Sequence, residues 1–134
     1  MLQEEMRKEL LRAALARKTI TYGYLMSRFE LARGSTGETV LGVLDEIDRA
    51  ESLAGAPGFA AIVVRKDTGF PGGGYFCWEG IPASLRRPRE RSTDPKLSQA
   101  ELDFIKRQQE RVWSYYHAHR GEADFAPEQS RIDS

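Results

Sequence analysis

The chain has a single cysteine, Cys77, in 134 residues. One thiol cannot close an internal disulfide, and a four-ligand zinc site would need other ligand types. Histidine is equally scarce: His117 and His119 are the only two, and they lie far from Cys77. Two residues apart on a helix they do not share a face, so a charge role at a helix C-terminus suits them better than metal ligation. There is no surplus of either charge, with Lys plus Arg and Asp plus Glu at 20 each. That balance removes the simplest argument for a nucleic-acid binder and leaves such a role to local patches. No long apolar run occurs, and acids appear by the fourth residue. Neither a secretory signal nor a transmembrane span is expected, and with one thiol the expected setting is a reducing, bacterial cytoplasm. No Ser-His-Asp or Cys-His set is legible, so the expectation is a protein that is not an enzyme and uses no cofactor and no metal.

What is present fits one soluble domain with a real core, at 40% hydrophobic and 30% charged residues. Residues 2–17 lack Gly and Pro and repeat Met6, Leu10, Ala13 and Ala14 at helical spacing, which predicts a helix. Thr21 is placed to cap a second helix through Phe29, with Leu25, Met26 and Phe29 inward and Arg33-Gly34 as its end. Ser35-Thr36-Gly37-Glu38 fits a capping box for a third helix. Its apolar stripe is Val40, Leu41, Val43, Leu44 and Ile47, and its wet face Asp45, Glu46, Asp48 and Arg49. After the break at Gly55-Ala56-Pro57-Gly58, residues 59–64 read as a buried strand. Lys66-Asp67-Thr68-Gly69 is turn chemistry, and 75–78 reads as a second strand pairing back. Residues 82–97, with three prolines and a run of arginines, read as a linker or extended arm. Ser98-Gln99-Ala100-Glu101 is a second capping box, opening a helix with Leu102, Ile105, Val112, Trp113 and Tyr116 on one face that runs to about His119. The expected fold is therefore α+β: one domain over 1–119, winged-helix-like, with three helices, an antiparallel hairpin and an added long C-terminal helix. Residues 120–134 read as a disordered tail.

The segment Thr19-Ile20-Thr21-Tyr22-Gly23, the run Val40-Leu41-Gly42-Val43-Leu44, the apolar strand and the Gly-Gly-Tyr at 73–75 follow one another in a recognisable order. Over about residues 19–75 this order resembles the DNA-binding domain of the O6-alkylguanine-DNA alkyltransferases and the alkyltransferase-like proteins. In that family a Pro-Cys-His-Arg-Val element carries the acceptor cysteine. Here Phe59-Ala60-Ala61-Ile62-Val63 stands in its place, so the resemblance puts Ala60 at the cysteine and Ala61 at the histidine. The arginine that intrudes into the base stack would fall near Glu38 or Thr39. Without a thiolate there is no nucleophile for alkyl transfer. The alkyltransferase-like proteins also lack the cysteine and still bind DNA, so the resemblance implies a non-enzymatic DNA-binding module.

Two surfaces could carry such binding. A glycine-rich wing (66–74) would present Arg65, Lys66 and Tyr75, and the arm would present Arg86, Arg87 and Arg89 to duplex phosphates. The glycines 72–74 lead into aromatics rather than a helix, which suits a wing or tight turn better than an anion cradle. Against this reading, the third helix is acidic, and that repels phosphate. The alternative is a protein-binding module, such as an immunity or accessory protein of a bacterial defence system. Phe70, Tyr75 and Tyr115 would then be partner contacts, because aromatics are over-used at interfaces. A monomer or a homodimer fits either reading.

Overall fold

The computed structural model describes residues 2–31, 39–77, 80–91 and 96–119. The chain runs as helix α1 (Leu2–Leu15), strand β1 (Ile20–Thr21), α2 (Tyr22–Phe29), α3 (Val40–Leu53), strand β2 (Val63–Val64) and the long helix α4 (Gln99–Ala118). Three short 3-10 turns lie between β2 and α4 or just before β2: Ala60–Ile62, Gly73–Cys77 and Arg89–Arg91. The fold class is α+β, as the sequence predicts. The predicted tail 120–134 lies outside the described residues.

The helices form where propensity and caps agree. In α1, Met6, Leu10, Leu11 and Ala14 make one buried stripe, with Glu4 and Glu5 in the first turn where the helix dipole favours anions. Lys18 donates to Ala13 O at 2.9 Å and Arg17 to Ala14 O at 3.1 Å, closing the C-terminus as a Schellman motif with Arg17 left-handed at φ 55. Thr21 caps α2 by accepting from the Tyr24 amide at 3.0 Å. That helix runs through Phe29 as expected and is closed at Glu30 (φ 54), where Leu31 donates back to Met26 O at 2.9 Å; Arg33-Gly34 lies outside the described residues. The capping box at 35–38 lies outside the described residues; the cap of α3 is Thr39, which accepts from the Gly42 amide at 3.0 Å. On α4 the Ser98–Glu101 box forms in both directions, with Ser98 N–H donating to Glu101 at 2.9 Å and the Glu101 amide to Ser98 Oγ at 3.1 Å.

The expected antiparallel hairpin is corrected. β2 pairs with β1 instead, in parallel, with Ile20 opposite Val63 and Thr21 opposite Val64. Residues 59–64 are apolar and largely buried as expected, but only the last two are strand. The reason is Asp48: its carboxylate accepts the Phe59 amide at 2.7 Å and the Ala60 amide at 3.1 Å and draws the chain into a turn. Over 75–77, the described part of the expected returning strand, no strand forms. Gly73–Cys77 coils as a 3-10 turn, and Trp78 lies outside the described residues. Pro71 and the glycines are poor strand formers. The coil puts Phe76 into a small cluster with Ile81 and Ile105, while Tyr75 packs against the main core. Residues 66–69 turn as expected, with Gly69 at φ 76 and its amide donating to Arg65 O at 2.8 Å.

The described part of the expected arm, 82–91 with 96 and 97, is not loose. Ile81 is buried, and the Arg87 amide donates to Phe76 O at 2.8 Å. The main core lies where α1, α3 and α4 meet, around Phe59 and Tyr116, whose rings stack at 4.7 Å. Among the described residues no helix is long and apolar enough to cross a membrane.

Candidate functional site

One face of α3 is not covered by the core. Leu41 and Leu53 are 61% and 86% exposed, and with Leu44, Asp45 and Asp48 they form one wall of an open cleft of about 1400 Å³. Tyr22 and Met26 of α2 stand at one end. The opposite side is built from Ala60, the 65–74 loop with Tyr75, and Gln108, Arg111 and Val112 of α4. The cleft exists because the Asp48 cap pulls residues 58–60 against α3. Gly58 is required there, since a Cβ would stand 2.3 Å from Asp48 Cγ.

The electrostatics follow from burial. Desolvation pushes the Asp48 carboxyl up to about 6; the two amides oppose this, and the charges of Glu51 and Asp45 add to it. Tyr75 is raised mainly by burial and further by Asp48, with Arg111 pulling the other way. Tyr22 is raised by burial, against the Gly72 amide and the charge of Arg65. Arg65 is engaged by Asp67 in a two-pronged pair at 3.0 and 2.8 Å, which holds the Asp67 carboxyl below its ordinary value. Arg49 is paired with Asp45 at 2.8 Å. Lys66 and Arg111 line the cleft and have no ion pair among the described residues.

Of the residues expected at a binding surface, the cleft brings Arg65, Lys66 and Tyr75 together. The arm's arginines are elsewhere. Arg87 is 4% exposed and donates to both oxygens of Glu101 at 2.8 and 2.9 Å, and to the carbonyls of Arg91 and Lys96. A guanidinium so enclosed cannot meet a phosphate, so its expected contact role is corrected to a structural one. Arg86 donates to Ile81 O at 3.2 and 2.8 Å. Arg89 is exposed in its 3-10 turn. Phe70 is half-buried against the Phe76 cluster. Tyr115 is half-buried too, edge-on to Tyr116 at 5.0 Å and stacked on His119 at 4.0 Å.

Sequence reasoning misses Tyr22, Asp48 and Arg111. Asp48 reads as part of the wet face of α3, yet it stands one turn after Leu44 and next to Ile47, and that spacing is the signal that it turns inward. Arg111 gives no sequence signal, because nothing local says that α4 borders the cleft. Compared with family models, characterised proteins and solved structures, the chain finds no match.

Proposed function

We propose that the protein is a non-enzymatic nucleic-acid-binding module of winged-helix type that contacts duplex DNA through this cleft and the loop at 65–74. The observation that carries the reading is the cleft itself. It has an apolar floor, two tyrosines on its walls, and the cations Lys66 and Arg111 at its edge without anionic partners among the described residues. Aromatic faces suit bases, and cations without partners suit backbone phosphate. The objection from an acidic α3 is weakened by what its acids do. Asp48 caps two amides, Asp45 pairs with Arg49, and the first turn carries no acid. Ala60, at the position where the resemblance puts the acceptor cysteine, lines the same cleft and offers only a methyl group.

The test is fluorescence anisotropy with mixed-sequence duplex DNA over a salt series. Affinity is expected to fall steeply with salt, with a log–log slope of about 0.9 per phosphate contacted, and Lys66→Ala to weaken binding to all sequences alike. No binding at low salt would sink the reading. A protein that co-purifies and is lost on changing exposed Leu41 and Leu53 would favour a protein-binding module instead.

A further inference from the structure

The acids and bases of α4 are used differently. It carries three acids, and each has a partner. Glu101 is held by Arg87, Asp103 accepts from Gln99 Nε2 at 2.9 Å, and Glu110 faces Arg17 at 3.4 Å. It also carries three cations, Lys106, Arg107 and Arg111, all exposed, and none has a hydrogen bond or ion pair among the described residues. Arg107 and Arg111 stand one turn apart on the same side of the helix, about 6 Å between Cβ atoms by helical geometry. Arg111 already lines the cleft, so the pair leads out of its mouth along α4. Asp103 and Glu110 stand within a turn of Arg107 on the same side, but each is engaged by its own partner, Gln99 and Arg17, which leaves Arg107 and Arg111 as the groups there without one among the described residues.

We propose that this stripe of α4, Arg107 and Arg111, is a phosphate-backbone contact surface that continues the cleft. It rests on the nucleic-acid reading above and adds to it an element that neither the wing nor the arm supplied. A nucleic-acid backbone suits the surface better than an acidic protein because the stripe is continuous with a cleft walled by Tyr22 and Tyr75. The stripe carries charge without apolar anchors, which suits backbone contact that is indifferent to sequence. It also takes the place of Arg86 and Arg87, whose guanidinium groups serve the protein's own carbonyls and carboxylate.

The experiment is a salt series of anisotropy titrations on mixed-sequence duplex DNA with wild type, Arg107→Ala/Arg111→Ala and Lys8→Ala. Lys8 is an exposed cation of α1 outside the cleft lining. The double variant is expected to lose about two from the salt slope and roughly tenfold in affinity at low salt, equally for every sequence. Lys8→Ala is expected to leave both unchanged. An unchanged slope in the double variant, with wild type still binding, overturns the stripe and leaves the cleft reading standing. Absence of binding by wild type overturns both. Should the double variant melt lower than wild type, the single variant Arg107→Glu decides, because that side chain does not line the cleft. Near-complete loss of binding at an unchanged melting temperature supports the stripe, and undiminished binding refutes it.

Discussion

Asp48 is an acid held where its charge is disfavoured. Its folded pKa of about 6 lies above the ordinary 3.8, so the folded state holds the proton more tightly than the unfolded chain. The stability gained from that proton is fully present below about pH 3.8 and is lost as pH rises through about 6. A proton affinity raised by roughly two powers of ten corresponds, at neutral pH, to a penalty of at most about 3 kcal/mol. Asp48→Asn removes the titration. In urea unfolding, the stability of wild type relative to this variant is therefore expected to fall by up to about 3 kcal/mol between about pH 3.5 and about pH 7.5. A difference that does not change with pH would contradict the assignment. Acids whose charge is disfavoured by burial concentrate in functional clefts, and this one stands across the same cleft from Tyr75 and Arg111.

Among the elements, the helices are legible in the sequence because their signals are local. The stripe of α1, the Thr21 cap and the Ser98 box all lie within a few residues of what they determine. The sheet is not legible in this way. Ile20-Thr21 is too short to announce itself as a strand, and its partner Val63-Val64 lies beyond two whole helices. The apolar run at 59–64 is buried, as its composition predicts, but its conformation is set by a carboxylate on another helix. Arg87 shows the same limit. In the sequence it belongs to a basic arm; in space it closes a buried pair with Glu101 that ties the 80–91 segment to the start of α4. Removing one partner of such a pair leaves an uncompensated charge. Arg87→Ala is expected to cost about 3–5 kcal/mol in chemical denaturation, whereas Arg89→Ala, exposed nearby, is expected to stay within about 0.5. The hydrogen bond from Arg87 holds Glu101 below its ordinary value, so this contribution is present above about pH 4.5 and fades in acid, opposite in sign to Asp48.

At the scale of the molecule, one buried carboxylate joins four segments. Glu51 of α3 accepts from Arg7 Nε of α1 and faces the Tyr116 hydroxyl of α4 at 2.8 Å, and that hydroxyl also lies 2.7 Å from Pro57 O. The phenol's proton is held there by burial first and by the charge of Glu51 next. Tyr116→Phe keeps the stack on Phe59 and deletes only the hydroxyl. It is expected to cost about 1–3 kcal/mol with an unchanged denaturant slope, and a larger loss or a changed slope would mean that the ring itself had moved. The packing of α1 has a consequence for synthesis. Its apolar stripe meets α3 and α4, so α1 leaves the ribosome about a hundred residues before the helix that completes its cover, by the chain order of the two. Until residues 99–118 emerge, the nascent chain carries Met6, Leu10 and Leu11 without their final cover. A nascent chain stalled before α4 is therefore a natural client for a holding chaperone.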